Sequence, residues 1–268
     1  MKASHTPLFV TAICALASPA LAGPEWEEPP DACSMIECAQ TPIGTGPMAG
    51  LKGELSGASA AREDGDFEDV FRIYIDDPKA FSAFVSPNSD GRPTFDSQMW
   101  LFNRMGYGLL GNDDNPSAGM NGESGFENMT TDGSNITISD RGVYFLAISG
   151  AGNFPRNNGG VRIFNLGAPG EVSGPDGVLG ASARLESWIG MGETGAYTIQ
   201  LTGVIFLPPE ERADINADTC IDSEDLALLL AAWGQPGRAD LNSDGITDST
   251  DLAILLAAWG CLANAGGF

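Results

Sequence analysis

The sequence predicts a mainly β domain, a jelly roll or sandwich, followed by a small all-α unit built from two loop–helix repeats. Three observations carry that prediction. Up to residue 206 the apolar residues come in short β-branched or aromatic runs bounded by Gly, Asn, Asp or Pro, with no helical period between them. After Pro208-Pro209 the apolar period changes from 2 to 3.6. Residues 214–234 then recur as 240–260, with Asp-Leu-Ala and Leu-Leu-Ala-Ala-Trp-Gly in both copies.

In chain order, residues 1–22 read as a secretory signal peptide: Lys2 is its positive start, Leu8 to Ala17 its apolar stretch and Ala20-Leu21-Ala22 its small-residue cleavage site. Residues 23–50 read as an extended N-terminal segment in which Cys33 and Cys38 form a small disulfide clip, as export favours. Residues 51–206 carry the strands. The strongest runs are Val70-Phe71-Arg72-Ile73-Tyr74-Ile75, Ala80-Phe81-Ser82-Ala83-Phe84-Val85, Met99-Trp100-Leu101-Phe102, Ile136-Thr137-Ile138, Val143-Tyr144-Phe145-Leu146-Ala147-Ile148 and Tyr197-Thr198-Ile199-Gln200-Leu201 into Val204-Ile205-Phe206. The Gly- and Asn-rich stretch 150–195 reads as an insertion. Residues 207–213 read as a linker, stiffened by two prolines and kept in water by three charges. Residues 214–262 make the paired-repeat domain, and 263–268 a tail.

Charge and composition exclude much chemistry. Of 13 basic residues, Lys2 lies in the signal peptide, as does the single histidine, His5; the remainder sets 12 basic against 36 acidic residues, a net charge of −24. Without imidazole, Ser-His-Asp and Cys-His catalysis and most catalytic zinc sites are closed. A surface this acidic repels nucleic acid and anionic lipid and suits hard cations.

Ahead of each predicted helix, oxygen donors stand at alternate positions. The first set is Asp214, Asn216, Asp218, the carbonyl of Cys220, Asp222 and Asp225; the second is Asp240, Asn242, Asp244, the carbonyl of Ile246, Asp248 and Asp251. These are positions 1, 3, 5, 7, 9 and 12 of the twelve-residue EF-hand calcium loop, in which a tight coil points alternate side chains at one centre. Six or more hard oxygens in a forgiving geometry favour Ca²⁺ over Mg²⁺. Position 12 is Asp where an EF-hand has Glu, and no helix precedes either loop. Position 6 is Gly245 in the second loop and Thr219 in the first, where positive φ is disfavoured and weaker binding follows. Leu226, Leu229, Leu230 and Trp233, then Leu252, Leu255, Leu256 and Trp259, fall on one face of each helix, which places both tryptophans in the core.

This pattern resembles a type I dockerin: the Asp-x-Asn-x-Asp spacing, the single helix after each loop and Asp at position 12 all match. The resemblance implies two Ca²⁺ ions, antiparallel pseudo-symmetric packing of the two units, and docking onto a cohesin-like domain or a cell-surface component. Loop positions 10 and 11 would face that partner, here Ser223-Glu224 and Ser249-Thr250, with Glu224 breaking the symmetry of the pair. The antiparallel packing would bring Cys220 and Cys261 together in a disulfide, worth roughly 4 kcal/mol in the chain-entropy picture. The strand runs, with Gly111-Asn112-Asp113-Asp114 after the third, resemble the bacterial pre-peptidase C-terminal domain. That is a jelly-roll sandwich carried by secreted hydrolases and surface proteins, without catalysis of its own. Asn112, Asp113 and Asp114 beside Asp76 and Asp77 are candidate ligands of a further calcium ion.

The expectation is a secreted, non-catalytic binding or scaffolding protein whose sandwich is anchored through a calcium-dependent module, in extracellular polysaccharide processing, with no nucleic-acid partner and no membrane span. One alternative is an extracellular hydrolase, acting on O-glycosyl bonds or associated with a peptidase, that the module localises. It calls for facing carboxylates and exposed aromatics such as Trp100 or Trp188. Another is a calcium-stabilised surface structural protein.

Overall fold

The computed structural model describes residues 23–28, 32–57, 65–86, 94–114, 122–168, 170–178, 180, 183–235, 237–242 and 244–261. Residues 1–22, expected to be a signal peptide, and the expected tail 263–268 lie outside them. Among the described residues no helix is long and apolar enough to cross a membrane.

The fold is mostly β. One five-stranded sheet holds β1 (Glu25–Glu27), β2 (Gly50–Leu55), β4 (Ser82–Val85), β7 (Gly125–Glu127) and β11 (Gly195–Thr202) in the order β1-β2-β11-β4-β7. A second holds β3 (Glu68–Ile75), β5 (Ser97–Asn103), β6 (Gly108–Asn112), β8 (Gly142–Gly150) and β12 (Val204–Ile205) in the order β12-β3-β8-β5-β6. Pairing is antiparallel throughout except for β1 beside β2. Leu51, Ala83, Val85 and Ile199 from the first sheet meet Phe71, Ile73, Leu101, Leu146 and Ile148 from the second in one shared core, as in a β-sandwich.

The expected strand at 136–138 is reduced to a bridge between Thr137 and Met129, because Asn135 takes a φ of 59° and turns the chain.

The second sheet is covered on both faces. Val70, Trp100, Phe102, Phe145 and Ala147 point away from the first core and pack under Ile36, Ile163, Phe164 and Leu185. The stretch read as an insertion therefore lids this outer face, with a ribbon of β9 (Phe154–Arg156) and β10 (Ser187–Ile189) within it. Trp100 is fully buried there and its indole N–H donates to Ser149 at 3.0 Å. Close packing at the edge of this lid needs glycine: a Cβ on Gly150 would run into the main chain of Glu193.

The C-terminal unit begins with a one-turn helix α1 (Pro209–Arg212), then β13 (Cys220–Ile221), α2 (Ser223–Ala231), α3 (Ser249–Ala257) and β14 (Gly260–Cys261), with β13 antiparallel to β14. The Cys220–Cys261 disulfide joins that pair and a second bridge joins Cys33 to Cys38. Its core is small: Ala213, Ile215, Ile221, Leu229, Ala239, Leu241 and Leu255. Two expectations need correction. Of the three charges expected to keep the segment 207–213 in water, Glu210 is exposed but Arg212 is buried against the C-terminal loops. Trp233 and Trp259 are not core residues but 45% and 47% exposed, since each helix ends two residues earlier and the chain turns outward.

Candidate metal centre

Each loop is built the same way onto its helix. Asp222 and Asp248 are the N-caps of α2 and α3, accepting the N–H of Glu224 at 2.8 Å and Thr250 at 2.7 Å. Asp225 and Asp251 complete the capping boxes by accepting the N–H of Asp222 at 3.0 Å and Asp248 at 2.7 Å. The other oxygen of Asp225 takes the N–H groups of Ile215 and Asn216, and Asp251 repeats this with Leu241 and Asn242. At positions 3 and 5, the Asn216 amide donates to Asp218 at 2.8 Å and the Asn242 amide to Asp244 at 2.9 Å. The spacing seen in the sequence thus becomes two loops coiled around their position-12 carboxylates.

The four position-1 and position-12 carboxylates are the unusual feature. Asp214, Asp225, Asp240 and Asp251 are 1%, 0%, 4% and 0% exposed. Burial pushes the Asp225 carboxyl up and Asp214 adds to this, while the N–H groups of Asp222, Asn216 and Ile215 oppose it. Grouping buried carboxylates costs several kcal/mol per ion unless positive charge faces them. Oδ1 of Asp214 is buried with no hydrogen-bond partner among the described residues, an oxygen left over at the position where a calcium loop supplies its first ligand. Among the described residues no three His, Cys, Asp or Glu side chains stand close enough to hold a metal as they are. The donor set is mixed, with Asn216, Asn242 and the carbonyls of Cys220 and Ile246 in it, and it fits a hard cation that takes amide and carbonyl oxygens.

Sequence reasoning missed the arginines. Arg212 lies two residues ahead of the first loop yet faces Asp240 and Asp251 of the second; Arg238, two ahead of the second loop, faces Asp214 and Asp225 of the first. The signal was present, because the repeat extends backward as Arg212-Ala213-Asp214 and Arg238-Ala239-Asp240. Two more come from the β region. Arg72 on β3, 1% exposed, donates to the Asp214 carbonyl at 2.7 Å, to the Asp214 carboxylate at 3.2 Å and to the Glu211 carbonyl at 3.0 Å. Arg104 pairs with Glu211 at 2.9 Å and reaches Asp214 at 3.5 Å. Burial drives Arg72 down to about 10, with Asp214 pulling it back up, so it stays charged at neutral pH.

Other expected sites fare differently. Ser223, Glu224, Ser249 and Thr250 are all exposed at the starts of the helices. Asp113 and Asp114 do not join Asp76 and Asp77. Asn112 pairs with Met99, which pairs with Ile148, whereas Ile75 pairs with Gly142, so the two groups sit at opposite ends of β8, on the order of 20 Å apart. Asp76 instead pairs with Arg141, and Asp77 caps the turn at Lys79 and Ala80. Asp113 and Asp114 face Asp96, whose carboxyl is raised to about 6 by burial and then by these neighbours and Glu193. Neither proposed aromatic platform is exposed: Trp100 is buried, and half-buried Trp188 meets it edge to face while donating to the Ser34 carbonyl at 2.7 Å. An acidic groove of about 390 Å³ lies instead beside the paired strands β1 and β2, lined by Glu27, Glu28, Glu54 and Asp66 around Lys52. Comparison with protein-family models found no match for the chain, and a search of curated proteins found none either.

Proposed function

We propose that residues 214–261 form a dockerin-like module that folds around two calcium ions and docks onto a cohesin-like or cell-surface partner. The module belongs to a secreted, non-catalytic protein of extracellular polysaccharide processing. The observation that carries this reading is the duplicated loop geometry, with the same carboxylates buried in both copies and Oδ1 of Asp214 unpartnered. Asp214, Asn216, Asp218, Asp222 and Asp225 would hold one ion with the carbonyl of Cys220; Asp240, Asn242, Asp244, Asp248 and Asp251 would hold the other with that of Ile246. Bound calcium would supply the charge that the buried carboxylates need and so join metal binding to folding. Leu230, Trp233, Leu256 and Trp259, 45–53% exposed at matching places on the two units, support a partner surface beside Ser223-Glu224 and Ser249-Thr250.

Calorimetric titration of the whole chain with Ca²⁺ tests the metal. Two ions are expected for the wild type and one for Asp240→Ala/Asp251→Ala; unchanged stoichiometry in that variant, or no calcium uptake by the wild type, defeats the reading. A cohesin-array capture lost in Ser249→Ala/Thr250→Ala would identify the docking face. The second reading, a calcium-stabilised structural protein, is favoured by the Arg72 tie, which fixes the first loop to the sheet; absence of capture by any bait would select it.

A further inference from the structure

In a chain with 13 basic against 36 acidic residues, four arginines gather in one place: Arg72, Arg104, Arg212 and Arg238. A cavity of about 270 Å³ opens beside them, between the β region and the C-terminal loops, with Gln40, Thr41 and Arg72 on one side and Arg212, Arg238 and Asp240 on the other. Trp26, Ala39 and Ile43 give it an apolar wall.

Its polar atoms are unfinished. Nε of Arg72, Nε and Nη2 of Arg238, Oγ1 of Thr41 and Oε1 of Gln40 are all buried and have no hydrogen-bond partner among the described residues. Each such atom costs about 1–3 kcal/mol when left alone, and all five belong to side chains that line the cavity. Arg72 has both terminal nitrogens committed to Asp214 and Glu211 and offers only its Nε–H. Arg238 spends Nη1 on the Glu37 carbonyl at 3.4 Å and keeps Nε and Nη2 together. Those two N–H groups lie on one edge of the guanidinium and form the parallel fork that matches the two oxygens of a carboxylate. The one acid in the wall, Asp240, has its oxygens taken by the N–H groups of Asp244 and Gly245 and is faced by Arg212.

We propose that this cavity binds a compact organic carboxylate, gripped by the Arg238 fork and the Arg72 Nε–H, with its body against Trp26 and Ile43. The volume admits about one sugar ring or one amino acid, since pockets that enclose drug-sized ligands start near ~300 Å³. The carboxylate can come from an acidic sugar or from an amino acid or peptide end; both present the same group to the fork. Thr41 and Gln40 would then meet the hydroxyl or amide groups of that body. The inference stands on the arginine geometry and does not rest on calcium occupancy of the loops.

Calorimetric titration of the full chain with D-glucuronate, N-acetylglycine, sodium sulfate and D-glucose, in Ca²⁺ and again in EDTA, tests it. Saturable one-site binding is expected for at least one of the two carboxylates, and the tighter of them names the source; glucose should not bind and sulfate should bind more weakly. Arg238→Met and Arg238→Lys should each weaken carboxylate binding about ten- to hundredfold, because Lys keeps the charge and loses the fork. If neither variant folds, Thr41→Val should weaken it about threefold. No saturable carboxylate binding, sulfate binding at least as tightly, or wild-type affinity in the variants that fold would overturn the proposal. Calcium uptake measured in the same samples separates failure here from failure of the metal reading.

Discussion

The two C-terminal loops share spacing, capping boxes and position-12 hydrogen bonds, yet the molecule treats them differently. The first loop is tied down twice: Arg72 and Arg104 of the β region hold Asp214, and Cys220 is bridged to Cys261 beyond the second helix. At the corresponding place in the second loop, Ile246 is 45% exposed. The first loop also turns at Thr219 with a φ of 79°, a conformation the second leaves to Gly245 at 97°. Ligand spacing therefore fixes how a loop coils, while its energetics depend on which charges and covalent ties surround it. Loop one is arranged to be held by the β region and loop two to be presented, although positions 10 and 11 are exposed in both.

The largest expected effect removes what joins the two loops. The Cys220–Cys261 bridge spans a sequence separation of 41 residues, and losing it in Cys220→Ala/Cys261→Ala should cost about 4 kcal/mol by the chain-entropy relation. With so small a core the unit should then melt separately from the β region, which circular dichroism at two wavelengths would register. A single unchanged transition would show that the sheet contacts alone carry loop one. Next comes Arg72→Ala, expected to cost about 3 kcal/mol, the low end for breaking a buried pair because Arg104 still faces Asp214. Calcium affinity at the first loop should change and that at the second should not, read by titration in the Asp240→Ala/Asp251→Ala background and its loop-one counterpart Asp214→Ala/Asp225→Ala. Equal changes at both would dissolve the contrast between held and presented loops.

How much of this was legible depends on the range of the signal. β3, β5, β8 and β11 follow from their β-branched and aromatic runs, and the calcium-loop donors from alternate-position spacing, because both patterns are local. The apolar run at 143–148 has no polar alternation, which fits the strand covered on both faces that the structure shows. What covers it was hidden, since Ile163, Phe164 and Leu185 are sparse apolar residues in a Gly- and Asn-rich stretch. Arg72 could not be linked to Asp214 from the sequence, being 142 positions away in an otherwise apolar strand. The tryptophans misled because the periodic stripe continues past the point where Ala232 and Ala258 cap the helices.

The smallest effect isolates the difference in backbone alone. A β-branched residue at positive φ pays about 1–2 kcal/mol in local sterics. Thr219→Gly relieves this while adding about 0.5–1 kcal/mol of backbone entropy to the unfolded chain, so a net gain of roughly 0.5–1 kcal/mol is expected. The Thr219 N–H that reaches Asp214 at 3.2 Å survives the change, so the loop keeps its hydrogen bond. The reciprocal Gly245→Thr should lose a similar amount, because the second loop would then carry the same strain. Denaturant unfolding of the two single variants and the double exchange measures both terms, and the double exchange should lie near the wild type. If Thr219→Gly destabilises instead, the Thr219 side chain contributes more to holding loop one than its backbone strain takes away, and the asymmetry would lie in side-chain contacts rather than in φ.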